Sequence, residues 1–461
     1  MRERSFLFAI AAALVICGAA FSIQGQSRND IRRSEQLVRE GDRAFGQKNY
    51  REAVEKYAEA VVHVPRDANT RFKKGLAHVM LDDHSLALSE LNTALDLGYS
   101  KPAEVYAVRW RLHYAAEDYA LALQDVTSGL ALDPDNLDLL IAQGDMHFVN
   151  QRYEAAQAAY AKALTRQPGN AELHLNLAKI YYNLGDTEKQ AVSAQFAIDR
   201  QTRDLAEAYL LLGDAHQKRR DFEAAARAYQ NALAADPNDY AVYQTLAEMY
   251  RAENRYDDAI AIIRRALTQL GLQSAIYTDL SWYYSLANRH EEAAEAAKAG
   301  VKLAPDNPMA YTNLCRAYND LQRPEMAARE CNNALTLKPG DGETNFYLGR
   351  SYDLQNKPAE ATQYYKRAVS GLEQFVEERP DYADGFYLLG NAYFADNQRR
   401  KAVEAYNKAL ELSPAFTKAY YNLGMIYVLE KNKRSATSQY DRLVKLDPAL
   451  AAQLKAEIDK I

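Results

Sequence analysis

The stretch ADGFYLLGNAYFADNQRRKAVEAYNKALELSPAF, Ala383 to Phe416, decides how the whole chain is read. Two short helical patterns flank a polar turn, and Pro414 closes the unit because proline cannot continue a helix. Gly390, Ala402 and Ala409 put small residues where two antiparallel helices approach. A bulkier side chain at such a place overpacks, at roughly 1–3 kcal/mol. Tyr387, Leu389, Tyr393, Tyr406 and Leu410 supply the large bodies. Tyr393 and Tyr406 suit the wedge between one helix pair and the next, since the ring is buried while the hydroxyl reaches a polar edge.

The same pattern returns along the chain, with units starting near residues 34, 68, 103, 137, 171, 206, 240, 274, 308, 342, 383 and 417. The fourth unit repeats it closely, with Gly144, Ala156, Tyr160, Ala163 and Pro168. The fifth keeps Ala178, Tyr181 and Ala197 but has no closing Pro. The tenth keeps Gly349, Tyr352, Ala361, Tyr365 and Ala368, and its second helix is expected to run on to about Glu378 and project past its neighbours. In spacing and in the order of small and large places the chain resembles the tetratricopeptide repeat (TPR) family, a helix–turn–helix of about 34 residues. The resemblance implies an all-α, right-handed superhelical solenoid of about twelve repeats over residues 34–450. Residues 449–461 read as a C-terminal capping helix, with Leu450, Leu454 and Ile458 facing the last repeat and Lys455, Glu457 and Lys460 facing water.

Residues 1–25 read differently. Arg2 and Arg4 precede the apolar run Phe6 to Ala20, and small or weakly polar residues follow, the pattern of a secretory signal peptide cleaved between Ala20 and Gly25. An uncleaved signal anchor is the other reading, because Ser5 to Ile23 almost reaches the ~20 residues that span a bilayer. Residues 26–33 form a charged joint before the array. Export to the bacterial periplasm or cell envelope is the expected destination.

Charge and composition narrow the function. The formal net charge of -6 is spread without blocks, which gives no electrostatic case for nucleic acid. There is no phosphate loop, His-Glu-x-x-His, Gly-x-Ser-x-Gly or Cys-x-x-Cys, so the chain reads as non-enzymatic, without cofactor, metal or small-molecule substrate. His78, His113, His147 and His216 occupy the place that Tyr250, Tyr318 and Tyr393 take elsewhere. Adjacent copies of that place lie about 10 Å apart, since helices pack at 8–10 Å. Ligand bonds of about 2 Å cannot bridge them, so these histidines stand in for a wedge tyrosine. First-turn acids, Glu343 and Asp384 among them, are read as complements to the helix dipole.

The resemblance implies that the first helices line a concave groove for extended peptides or partner helices. The matching places are Lys73, Arg111, Asp145, Asn176, Lys179, Asp214, Glu248, Trp282, Asn313, Arg316, Arg350, Asn391 and Asn422. Asp145, Asp214 and Glu248 precede Arg316 and Arg350, with Trp282 between, so a groove across the fifth to eleventh repeats is expected to take a partner of mixed charge. Substitutions of Trp282, Arg316 or Arg350 are expected to spare stability. Cys315 and Cys331 face one another across the ninth helix pair; the favoured reading is two small apolar fillers, with a disulfide as the alternative. The reading as a whole is a protein-binding scaffold of the cell envelope. The alternative is a substrate-recognition or assembly subunit of an envelope enzyme complex, such as a glycosyltransferase or secretion system.

Overall fold

A computed structural model describes residues 27–461, so the leader, its cleavage site and its anchor alternative lie outside the described residues. The described residues form twenty-five helices and no strand. None of those helices is long and apolar enough to cross a membrane. The helices fall into two compact units, one ending at Arg203 and the other running from Asp204 to Ile461.

The first unit holds five antiparallel pairs, opening with Arg28–Gly46 against Tyr50–His63 and closing with Ala171–Leu184 against Thr187–Asp199. The second holds seven pairs, from Leu205–Lys218 and Phe222–Ala235 to Thr417–Leu429 and Lys433–Leu446, followed by the cap Pro448–Ile458. Each unit is an all-α solenoid in which a pair buries its apolar face on its neighbours.

One backbone device makes every pair. A left-handed residue sits in each of the twelve turns: Lys48, Asp82, Glu117, Gln151, Gly185, Arg220, Asn254, Asn288, Gln322, Asn356, Asn397 and Lys431. The amide after it bonds back to the carbonyl five residues earlier, as Gln398 does to Tyr393 at 2.7 Å, which satisfies a helix-end carbonyl in a Schellman-type turn. In eleven of the twelve turns the wedge residue, Tyr or His, thus anchors the turn with its backbone while its ring packs; in the first pair Ala44 takes that place.

The small places are as tight as the sequence demands. A Cβ added at Gly41, Gly144, Gly213, Gly349 or Gly390 would lie 2.3 to 2.8 Å from the ring of Tyr57, Tyr160, Tyr229, Tyr365 or Tyr406. Each of these rings finds a polar partner for its hydroxyl: Tyr57 donates to Asp42, Tyr160 to Asp145, Tyr229 to Gln217, Tyr365 to Asp353 and Tyr406 to Asn391.

Three elements differ from the sequence reading. The array begins at Arg28: Ser27 caps the helix by accepting from the Asp30 amide, so residues 28–33 are helix and not a joint. Their only large apolar residue, Ile31, is exposed, and the apolar pattern therefore gave no sign of them. The helix Pro358–Glu378 is long, at 21 residues, yet its extra turns do not project. Gly371 lies where a Cβ would meet Gly340 O at 2.5 Å, and Phe375 and Val376 pack on Gly385, so the added turns are pressed into the unit. Cys315 and Cys331 are bonded, with Sγ atoms 2.08 Å and Cα atoms 5.3 Å apart, in place of the two free fillers. At the C-terminus Leu454 and Ile458 are buried and Leu450 packs against them, while Lys455 and Lys460 are exposed and Glu457 is half-buried.

Candidate functional site

Two cavities collect most of the candidate residues, one within each unit. In the first unit Arg111, Asp145, Asn176 and Lys179 come from three consecutive first helices, Pro102–Ala115, Leu137–Val149 and Ala171–Leu184. They line a groove of about 420 Å³ together with Trp110, Tyr114 and Phe148. The Arg111 guanidinium lies 5.0 Å over the Trp110 ring and reaches toward Asp138 at 3.5 Å. Burial holds the Asp145 carboxyl above the usual carboxylate range, and the hydroxyl of Tyr160, donating to it at 2.5 Å, pulls the other way. Lys73 lies apart from this group, tied to both oxygens of Asp42 at 2.8 and 2.7 Å.

In the second unit Trp282, Asn313, Arg316, Arg350, Asn391 and Asn422 line a chamber of about 850 Å³. Its walls are the first helices Ser274–Leu286, Pro308–Asp320, Gly342–Leu354, Ala383–Ala395 and Thr417–Leu429 and the extra turns of Pro358–Glu378. The inner face of this unit is bridged, not open. Arg251, on Tyr240–Ala252, donates to Glu248 at 2.7 Å and meets Asp384, four repeats on, at 3.1 Å. Beside it the Asn254 side-chain amide donates to the carbonyl of Ala415 at 3.3 Å.

Several candidates serve the fold here. Asn313 and Arg316 are only 2% and 7% exposed. Asn313 donates to the Thr278 carbonyl at 2.9 Å and accepts from Arg316 at 2.8 Å. Arg316 also faces Glu343 at 3.4 Å. Loss of either side chain therefore touches stability, which for Arg316 is contrary to the sequence expectation. Asn391 accepts from Tyr406 and from Asn422, at 2.6 and 2.9 Å. Arg350 pairs with Asp320 at 3.1 Å. Glu248 is taken by Arg251 and by the Tyr283 hydroxyl at 2.6 Å, and Asp214 pairs with Lys218 at 2.8 Å. Neither Glu248 nor Asp214 lines the chamber.

Sequence reasoning missed the acids that answer these cations. Glu343 and Asp384 do sit in first turns, but each also faces an arginine of another repeat. Burial raises both carboxyls above their ordinary range, as it does Asp279, which accepts from Tyr240 and Gln244. Lys418 was missed as well; burial first, and the field of Arg316 next, push its ammonium below the usual lysine range. Lys418 stands at the place where Glu104, Asp138, Glu172, Glu207, Glu343 and Asp384 put an acid, and that reversal of charge is the signal that was there to find.

The histidines lie as wedge residues. His78 is buried with Nδ1 3.2 Å from Asp83, and His113 and His216 each lie within 4.0 Å of an acid of their own repeat.

Family profiles agree with this architecture. Profiles described as tetratricopeptide repeat match residues 38–102, 148–189, 210–273, 278–342 and 417–450, and one described as TPR repeat matches 390–429. A DnaJ homolog subfamily C member 7 homolog of Schizosaccharomyces pombe is 26% identical over 202 residues, 41% of this chain and 40% of that protein. The human protein O-mannosyl-transferase TMTC1 is 28% identical over 134 residues, 28% of this chain and 15% of that protein. The chain thus spans less than half the length of either relative. Among solved structures, yeast Tom70 aligns over 93% of this chain and 95% of its own, at 14% identity and a TM-score of 0.40. The MamA protein aligns over 37% of this chain and 94% of its own, at 23% identity and a TM-score of 0.32. With the turn recurring in all twelve pairs and the wedge and small-residue places in nearly all, the chain is an all-helical solenoid of tetratricopeptide repeats.

Proposed function

We propose that the chain is a non-enzymatic scaffold, exported to the cell envelope, that binds an extended peptide segment of a partner protein in the groove of its first unit. The observation that carries this is the convergence of Arg111, Asp145, Asn176 and Lys179 beside Trp110 and Phe148. Aromatic residues and arginine, which dominate binding energy at interfaces, stand there beside groups of both charges. The mixed order of charge selects the direction of a bound segment more than it raises affinity. The groove expected across the fifth to eleventh repeats is moved to the third to fifth, sharing only the fifth with that expectation, because the second unit spends its groove residues on internal pairs. Export rests on the leader-like residues 1–25.

The test is affinity capture from the native envelope, followed by titration of the captured partner's segments against Trp110→Ala and Arg111→Ala. Each variant is expected to weaken binding by about 1 kcal/mol or more. Unchanged affinity in the double variant, with helicity retained, would move the site elsewhere. Sequencing the mature N-terminus checks export: a start between residues 21 and 26 supports it, and an intact Met1 favours the anchor.

A further inference from the structure

The chamber of the second unit is lined by two cations that no acid answers: Arg379, which is exposed and lies over the Phe375 ring at 5.6 Å, and Lys418, which is largely withdrawn from water. Arg251 has Asp384 and Glu248, Arg316 has Glu343, and Arg350 has Asp320. Lys418 lines the same chamber, yet it makes no hydrogen bond or ion pair within 4.0 Å among the described residues. The acids that draw it, Asp320 and Asp384, are committed to Arg350 and Arg251, and the remaining strong field on it is the repulsion of Arg316. A desolvated ammonium without a counter-ion is costly, and a fold built only for stacking gains nothing by keeping one.

The space around it has the size and lining of a small-molecule site. At about 850 Å³ it falls within the ~300–1,000 Å³ typical of ligand pockets. Phe346, Phe375, Tyr387 and Phe416 give it aromatic faces. A helix with its side chains is about 10–12 Å across and suits an open groove, not a face bridged at Asp384.

We propose that this chamber binds a small organic anion, its apolar or aromatic body against Phe346, Phe375 and Tyr387 and its single anionic group on the Nζ of Lys418. Inside the chamber Asp320, Asp341, Glu343 and Asp384 are each paired with a cation and Asp279 accepts from Tyr240 and Gln244, while Glu378 lies at the exposed edge and accepts from Gln374. This site is separate from the peptide groove in residues, unit and ligand, and it stands or falls independently of it.

Two probes that share an aromatic body test it on the full chain: anilinonaphthalene sulfonate, which is anionic, and phenylnaphthylamine, which is neutral. The sulfonate is expected to bind the folded protein at one site and to quench the emission of Trp282, which lines the chamber. Lys418→Met is expected to weaken the sulfonate by about tenfold or more, and Lys418→Arg to restore most of the loss. The neutral probe should bind the Met variant as it binds the native chain. Thermal melts followed by circular dichroism control for folding, and Lys418→Gln replaces the Met variant if that one melts early. Equal sulfonate affinity in native and Met chains would overturn the proposal. So would equal loss of both probes, which would mean that Lys418 only packs, or failure of the native chain to bind the sulfonate.

Discussion

At the scale of single residues, close approach sorts the glycines by what a methyl group would strike. At Gly390 the obstacle is the ring of Tyr406, 2.6 Å away and itself buried; at Gly371 it is backbone, the Gly340 oxygen at 2.5 Å. Overpacking costs roughly 1–3 kcal/mol, and alanine recovers up to about 1 kcal/mol of helix propensity. Gly390→Ala is therefore expected to lower the denaturation midpoint modestly and Gly371→Ala clearly more, because a ring can tilt and a backbone cannot; equal losses would show that both sites relax. Asp145 gives a prediction in pH. Burial raises its folded pKa above the unfolded value, so its contribution to stability is most favourable below about pH 4 and declines as pH rises through the folded pKa. Asn cannot ionise, yet it still accepts from Tyr160. The stability of Asp145→Asn relative to the native chain should thus increase between about pH 3 and pH 7, read from denaturant midpoints. A flat or falling difference would mean that the Tyr160 bond outweighs desolvation.

Elements show where the sequence was legible. The helices Ala383–Ala395 and Arg399–Leu412 sit where Gly390, the polar turn and Pro414 put them, because those choices are local and repeat. The start of the array was not legible, since residues 28–33 carry a cap and charge but no buried stripe. The pairing of Asp384 with Arg251 was not legible either: a contact across four repeats has no period, and each partner taken alone passes for a solvated helix residue. The groove places were read from position alone, and position cannot tell an open lining from an Asn313 or Arg316 turned to its neighbours. The cysteines lay between these cases, with their facing places readable but not their separation. Their bond closes a loop of sequence separation 16, and for such a loop chain entropy predicts a contribution of about 3 kcal/mol. Alkylation of the denatured, unreduced chain should find neither Cys315 nor Cys331 free, and reduction should lower stability by about that amount.

At the scale of the whole molecule each unit has its own logic, and the second adds to its stacked pairs a long-range bridge from Arg251 to Asp384, with Asn254 bonded to Ala415 beside it. Removing one partner of a buried ion pair costs about 3–5 kcal/mol, whereas replacing both by apolar residues is often neutral. Arg251→Ala should therefore destabilise strongly, by calorimetry or denaturant, while Arg251→Met with Asp384→Leu and Glu248→Gln, which removes both acids that Arg251 answers, should recover most of the loss; a mild single variant would show that water enters the bridge. The long helix of the tenth repeat bears on the same bridge through arithmetic of phase. Its 21 residues exceed the 14 of Arg399–Leu412 by seven. Seven residues make nearly two whole turns, so the helix keeps its buried side within about 20° while its tip moves on by about 10 Å. An insertion of that length is nearly silent in rotation and loud in translation. The tenth repeat is thus a joint where the array can lengthen or shorten by two turns without scrambling which residues face inward, and each such change would decide whether Asp384 still arrives opposite Arg251.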